Sequence, residues 1–289
     1  TANVTLVGTG VAPVNAVASG NTLVRIGTTG IASVSITNVG DGNKSGLPAS
    51  VSNLNGTYTQ TLGAGFTAAA PSAISLADGG STTIGFSYNA TTRTTSSSSA
   101  TISFANGKSD GSNASQTLTA NAVATGVGPT YASSFAGSNV TPVANNPTGS
   151  NLSFGTVDVG YWQSFYLTLA NITTDSNGGN DALTDLTIES FNFTGANAAN
   201  FKVASGTGII HKGSSILVPI QVFSTTNTAL VSTLTILTDQ SAALGGIGDT
   251  FTYQLTAVAA PEPATLAVVG AGLAALAYAR RKRRQTADT

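Results

Sequence analysis

Residues 208–240 read GIIHKGSSILVPIQVFSTTNTALVSTLTILTDQ, and the periodicity of this stretch decides the fold. A short apolar run meets a Gly-containing turn, then an alternating segment places Val218, Ile220 and Val222 at i, i+2 and i+4, on one side of a strand. A Thr/Ser-rich connection and a second alternating segment complete it. Residues 74–107, ISLADGGSTTIGFSYNATTRTTSSSSATISFANG, repeat the same order, with Ile84, Phe86 and Tyr88 sharing a face. Each copy closes on one more alternating segment, QTLTANAVA (116–124) and FTYQLTAVA (251–259).

Working outward, residues 152–160 read LSFGTVDVG and lead into FYLTLANIT, an alternating strand that ends at Asn171. In the first half VRIGTTG (24–30) leads into ASVSITNVGDG, which also reaches an Asn, Asn38. Each half thus predicts a short strand, a Gly-Thr turn and an alternating strand ending at Asn. Many short strands with frequent turn signals, and no helical period of useful length before residue 264, predict an all-β chain. Its expected architecture is two tandem immunoglobulin-like β-sandwiches, at 15–127 and 149–259, joined by a linker at 128–148. In the second half, LSFGTVDVG, the Asn after the next strand and FTGANAANFKV (193–203) together resemble the ASH-type, choice-of-anchor D domains of bacterial surface proteins. The first half departs from that pattern, with RIGTTG where the second has SFGTVDVG. NVTLVGTGVAPV (3–14) is similar to the end of the first repeat, so residues 1–14 predict a partial closing strand and linker. Two readings stay open there. Another repeat, or a strand of the first domain, precedes or includes the segment, or residues 1–12 are donated to the sheet edge of a neighbouring subunit, making the chain a filament subunit.

Composition excludes several functions. Only 8% of the 289 residues are charged, against about 25% in ordinary soluble domains, so Ser, Thr, Asn and backbone must solvate the surface. Without Cys there is no disulfide and no thiolate metal site, and one His cannot build a multi-histidine centre. A hydrophobic fraction of 41% supplies a core. The absence of Met implies that the translated start is missing: an export signal has been removed, or the chain is a fragment. No basic stripe runs through the body, which excludes a nucleic-acid partner, and no cofactor is expected.

Charge is distributed unevenly. Before position 280 there are six basic and eleven acidic residues, a balance of −5, whereas Arg280, Arg281, Lys282, Arg283 and Arg284 are consecutive. Directly upstream lies Ala264–Ala279, ATLAVVGAGLAALAYA, without a charge. As a helix it spans roughly 24 Å, somewhat short of a ~30 Å hydrocarbon core, and snorkelling Arg side chains make up part of the difference. The expectation is a C-terminal transmembrane helix with its basic cluster on the cytoplasmic side. Pro261-Glu262-Pro263 precedes it. The order Pro-Glu-Pro, apolar span, basic end resembles the PEP-CTERM sorting signal, here at 260–289. That resemblance implies transient partnership with an exosortase and the inner membrane of a Gram-negative bacterium. It further implies delivery to the cell surface or the extracellular biofilm matrix, with exopolysaccharide or other surface proteins as partners. Physically, prolines hold the segment extended where a protease can read it.

Other candidates are weaker. His211 lies in the polar turn IIHKGSS and has no nucleophile elbow to serve. Asp175, Asn177, Asn180 and Asp181, with Asp185 nearby, offer hard oxygens on a Gly loop, as calcium requires. They miss the EF-hand spacing, and a plain turn uses the same residues. Trp162 with Tyr161, Phe165 and Tyr166 is the densest aromatic group. Phe165 reads as core, while Tyr161 and Trp162 offer either edge packing or stacking to carbohydrate. The combined expectation is a non-enzymatic, exported structural or adhesive protein, with a carbohydrate- or calcium-dependent adhesion module, or a self-assembling filament subunit, as alternatives.

Overall fold

The computed structural model describes residues 13–40, 53–68, 73–109, 112, 114–135, 138–140, 151–240, 250–260 and 271–276. The chain divides into two compact units. Unit 1 comprises Thr1–Pro129, Thr173–Asp185 and Ala243–Gly246; unit 2 comprises Thr130–Ile172, Leu186–Ala242 and Ile247–Thr289.

Unit 1 holds β1 (Asn15–Arg25), β2 (Thr29–Asn38), β3 (Leu54–Thr61), β4 (Phe66–Ala68), β5 (Ala73–Leu76), β6 (Ser81–Asn89), β7 (Thr95–Phe104) and β8 (Gln116–Val127). They lie in the order β4-β6-β2-β1-β8-β7-β3-β5. β1 belongs to both faces of the sandwich. Asn15–Ser19 pair antiparallel with β2, and Gly20–Arg25 pair parallel with β8. The crossing point is Gly20, where a Cβ would collide with the carbonyl oxygen of Ser33. Only a residue without a side chain lets the backbone pass that close. Alternation does the rest: Val34, Ile36, Ile84, Phe86, Tyr88, Ala100 and Ile102 point into one core and are almost fully buried.

Unit 2 holds β9 (Tyr131–Phe135), β10 (Ser138–Val140), β11 (Asn151–Asp158), β12 (Gln163–Asn171), β13 (Leu186–Thr194), β14 (Phe201–Val203), β15 (Gly208–Ile210), β16 (Ser215–Val222), β17 (Ala229–Thr238) and β18 (Thr250–Ala260). One sheet runs β10-β9-β12-β16-β14 and the other β11-β18-β17-β13-β15. Apart from the added edge strand β10, this is the order of unit 1 with its first strand divided: β9 pairs antiparallel with β12, and β11 pairs parallel with β18. Val218, Ile220 and Val222 share the buried face with Leu167, Leu169, Leu234 and Ile236. Both units are immunoglobulin-like β-sandwiches.

The two asparagines that end the alternating strands are the same structural device, built twice. Asn38 and Asn171 are fully buried. Val14 N–H donates to Asn38 Oδ1 at 3.1 Å and Asn38 Nδ2 donates to Leu76 O at 3.1 Å. Thr130 N–H donates to Asn171 Oδ1 at 3.1 Å and Asn171 Nδ2 donates to Ile210 O at 3.1 Å. The adjoining turns also coincide: Gly79 N–H bonds Asn38 O, and Gly213 N–H bonds Asn171 O. Both glycines have positive φ, 69° and 73°. One side chain therefore ties the entry of the first strand, the end of the second and the turn before the strand that pairs with it.

Three expectations change. The segment taken as a linker at 128–148 contains β9, whose residues pair with β12 from Leu167 to Asn171. Tyr131, Ser133 and Phe135 are buried at a strand period, in a stretch too short and Ser-rich to stand out. Second, Gly27 corresponds to Gly160, since Gly27 N–H bonds Ala90 O at 2.8 Å and Gly160 N–H bonds Ser224 O at 2.7 Å. The Gly155-Thr156 pair, expected as a turn, lies within β11 at a register shift between Ser153 and Thr156. Third, the loop Thr173–Asp185, expected inside the second sandwich, belongs to unit 1. The proposed donor strand, residues 1–12, lies outside the described residues.

Candidate functional site

The C-terminal signal begins where pairing ends. β18 is held between β17 and β11, and Ala260, opposite Asp158, accepts a hydrogen bond from Val159 N–H at 3.2 Å. The next residue is Pro261, which has no N–H to continue a ladder. Pro261, Glu262, Pro263 and the cluster Arg280, Arg281, Lys282, Arg283 and Arg284 lie outside the described residues. Of the apolar span, residues 271–276 are helical, with Leu273 and Leu276 exposed. Among the described residues no helix is long and apolar enough to cross a membrane.

The acidic loop is built differently from a cation site. Asp175 Oδ2 accepts from Arg93 Nε and from Gly128 N–H, both at 2.8 Å. Arg93 also donates to Pro129 O at 2.8 Å, and Arg25 Nη1 donates to Ala182 O and Asp185 O at 2.8 and 2.9 Å. Asn177 and Asp181 do meet, but Asn177 presents its amide N–H to Asp181 Oδ1 at 2.6 Å, while Gly179 N–H occupies Asn177 Oδ1 at 3.1 Å. Asn180 contributes its backbone N–H to Asn177 O and leads into the 3-10 turn Asp181–Leu183. The four candidates are therefore not brought together: Asp175 turns to Arg93, and the others form an Asx-type turn. Among the described residues no group of three His, Asp or Glu is placed to hold a metal. Arg25 and Arg93 were not singled out in the sequence. The only signal there is scarcity, because an isolated cation at a strand end, in a body with six, tends to be committed to a partner. His211 lies in the exposed turn before β16, where its carbonyl accepts from Ser214 N–H at 3.0 Å.

The aromatic group splits by face. Phe165 turns inward and meets Phe154 edge-on at 4.7 Å. Tyr161 and Tyr166 are exposed. Trp162 stacks on Phe223 at 5.1 Å, and Lys202 Nζ sits 3.8 Å from its ring centroid. Beside Lys202, within unit 2, a cleft of about 490 Å³ opens between β13 and β14, lined among others by Glu189, Phe191, Phe193, Phe201 and Val203. Nothing local in FTGANAANFKV signals a cavity. The volume arises only when β13 and β14 come to lie in facing sheets.

A buried phenol pair marks the other end of the core. Tyr131 and Tyr253 hydroxyls lie 2.7 Å apart, Ser133 Oγ is 2.6 Å from the Tyr253 hydroxyl, and Tyr131 stacks on Phe251 at 3.7 Å. Burial pushes the Tyr253 phenol up to about 12, and burial, with Tyr253 beside it, holds Tyr131 well above the ordinary phenol range. Both stay neutral and serve the core.

Residues 259–284 match the PEP-CTERM protein-sorting motif. No curated protein matches the chain. Among solved structures, a Porphyromonas gingivalis protein of unknown function is similar at 10% identity and a TM-score of 0.30, over 84% of this chain and 99% of that one. The ASH/PapD-like domain 7 of human CEP192 matches at 16% identity and a TM-score of 0.29, over 43% and 94%. CBD12 from CALX1.2 matches at 8% identity and a TM-score of 0.30, over 83% and 99%. The C-terminal motif marks the chain for export and exosortase sorting through a membrane-anchored intermediate. Ahead of it stand two immunoglobulin-like β-sandwiches.

Proposed function

We propose that this is a non-enzymatic structural or adhesive protein of the cell surface or biofilm matrix, with domains of the choice-of-anchor D type. The observation that carries this reading is the direct junction between β18 and the sorting motif. Among the described residues the last paired one, Ala260, abuts Pro261, so a cut within the motif beyond Ala260 frees both sandwiches with every described strand intact. The Thr/Ser/Asn surface and low charge support an extracellular setting, where packing and strand pairing supply stability without disulfides. The exosortase and inner membrane are then transient partners, and exopolysaccharide or other surface proteins the lasting ones.

The test is made in the native host. Replacing Pro261-Glu262-Pro263 by three alanines is expected to leave the full-length chain in the inner membrane and empty the surface fraction. Mass spectrometry of the released wild-type protein is expected to show a C-terminus near the motif. Release of a chain intact through Thr289 would overturn the reading.

A further inference from the structure

The cleft beside β13 has the form of a missing strand. β13 is covered on its outer edge by β15 only from Leu186 to Ile188. Glu189 falls at a register shift and has no partner on β17; from Ser190 to Phe193 the inner side is paired with β17 and no described strand pairs on the outer side. Such an edge presents a row of N–H and C=O groups ready for another strand. Phe191 and Phe193 lie opposite Ile236 and Leu234 of β17 and pack against the core, so their face of β13 looks into the sandwich. Facing them across the opening are β14, at the edge of the other sheet, with Phe201 and Val203, and the Ala204–Thr207 connection, which lines the cleft with Gly206 against Phe191. A strand laid along β13 would send every second side chain into this space, and about 490 Å³ accommodates several aliphatic groups.

Unit 1 carries different chemistry at the matching position. By register, Gln60 of β3, opposite Ala100, occupies the place of Phe193. Gln60 Nε2 donates to Gly85 O of β6 at 3.2 Å, a bridge from one sheet to the other. A phenyl ring has no such donor. Charge sets the occupant further: Glu189 is exposed at the rim and makes no ion pair among the described residues.

We propose that unit 2 binds an extended peptide strand of a partner protein along Glu189–Phe193, apolar at every second residue and cationic beside Glu189. Main-chain hydrogen bonds supply affinity and the cleft selects the alternate side chains. This goes beyond the sorting reading and does not depend on it.

The experiment uses the full chain in detergent and a fluorescein-labelled peptide, Lys-Val-Thr-Val-Ser-Val-Thr-Ser, read by anisotropy. Saturable binding is expected, with Phe193→Gln, which installs the unit 1 residue, weakening it about tenfold. Glu189→Lys, a surface change that leaves the core untouched, is expected to weaken this peptide and to favour one beginning with Glu. Two further peptides carry N-methyl groups on alternate residues, one set per edge; one is expected to bind and the other not. Absence of saturable binding below about 1 mM, equal binding of the two methylated peptides, or indifference to Glu189→Lys would each overturn the proposal.

Discussion

The two sandwiches place their strands alike and fill matching positions with different chemistry. In unit 1 a single strand, β1, crosses from one sheet to the other at Gly20, and Asn15 at its start donates to Gly107 O and Gln116 Oε1 at 2.6 and 2.8 Å. In unit 2 that strand is divided into β9 and β11, and Tyr131 stands where Asn15 does, bound to Tyr253. Thr67 of β4 corresponds to Lys202 of β14, since each pairs one residue beyond a buried Phe, Phe66 or Phe201. What does not vary is the buried asparagine. The fold therefore rests on backbone accounting at one corner, while the rest of each core is free to change its side chains. A polar group buried with all its partners fixes register, and the apolar positions need only volume and alternation.

The sharpest way to break the comparison is to remove that corner from each unit in turn. Asn171→Leu leaves Thr130 N–H and Ile210 O without their partner in a dry site. Each orphan group costs ~1–3 kcal/mol, so a loss of about 3 kcal/mol is expected. Asn38→Leu strands Val14 N–H, Gly40 N–H and Leu76 O and should cost at least as much. Urea unfolding reads both, and fluorescence of Trp162, the only tryptophan, reports unit 2. A loss under about 1 kcal/mol at either position would mean that water replaces the side chain and the corner is not what fixes register.

The sequence reading reached this corner without its reason. It located the alternating strands and the Asn at the end of each because both are local patterns. It missed β9 because TYASSF alternates over only five residues, and its buried face is set by β12, more than thirty residues later. It matched the wrong glycines, since Gly27 and Gly155 share a Gly-Thr neighbour, whereas the backbone bonds that define the turn belong to Gly160. Asp175 looked like a ligand because its partner, Arg93, is distant in sequence. The cleft was invisible for the same reason: Phe193 and Phe201 line its opposite walls only after Gly195–Asn200 carry the chain from one sheet to the other.

A smaller effect separates the cores by pH. Tyr253 has its phenol raised to about 12 by burial, and Tyr131 is raised as well. An unfolded tyrosine titrates near 10. Below that pH both states hold the proton and the contribution is complete. Between pH 10 and 12 the unfolded chain releases protons that the folded one keeps, so stability falls as pH rises. The loss expected from Tyr253 alone is on the order of 2 kcal/mol by pH 12, and Tyr131 adds in the same direction. Tyr253→Phe should flatten that slope while lowering stability at pH 8, because Ser133 Oγ and the Tyr131 hydroxyl lose their partner. Urea midpoints measured at pH 8 and pH 11 check it, and an unchanged slope in Tyr253→Phe would assign the alkaline loss elsewhere.

The smallest expected effect lies at the outer edge, where Lys202 covers Trp162. A cation over an exposed indole contributes ~0.5–1 kcal/mol, and the lysine stem adds packing. Lys202→Thr, which installs the residue found at the matching place in unit 1, should therefore lower the stability of unit 2 by about 0.5–1 kcal/mol. It should also shift Trp162 emission as one covering group leaves the ring. Lys202→Met, with a similar stem and no charge, distinguishes the two contributions. If it behaves as wild type, the ring needs only cover. If it behaves as Lys202→Thr, the charge holds Trp162 against Phe223, and Thr67 in unit 1 is neutral only because no indole stands beside it.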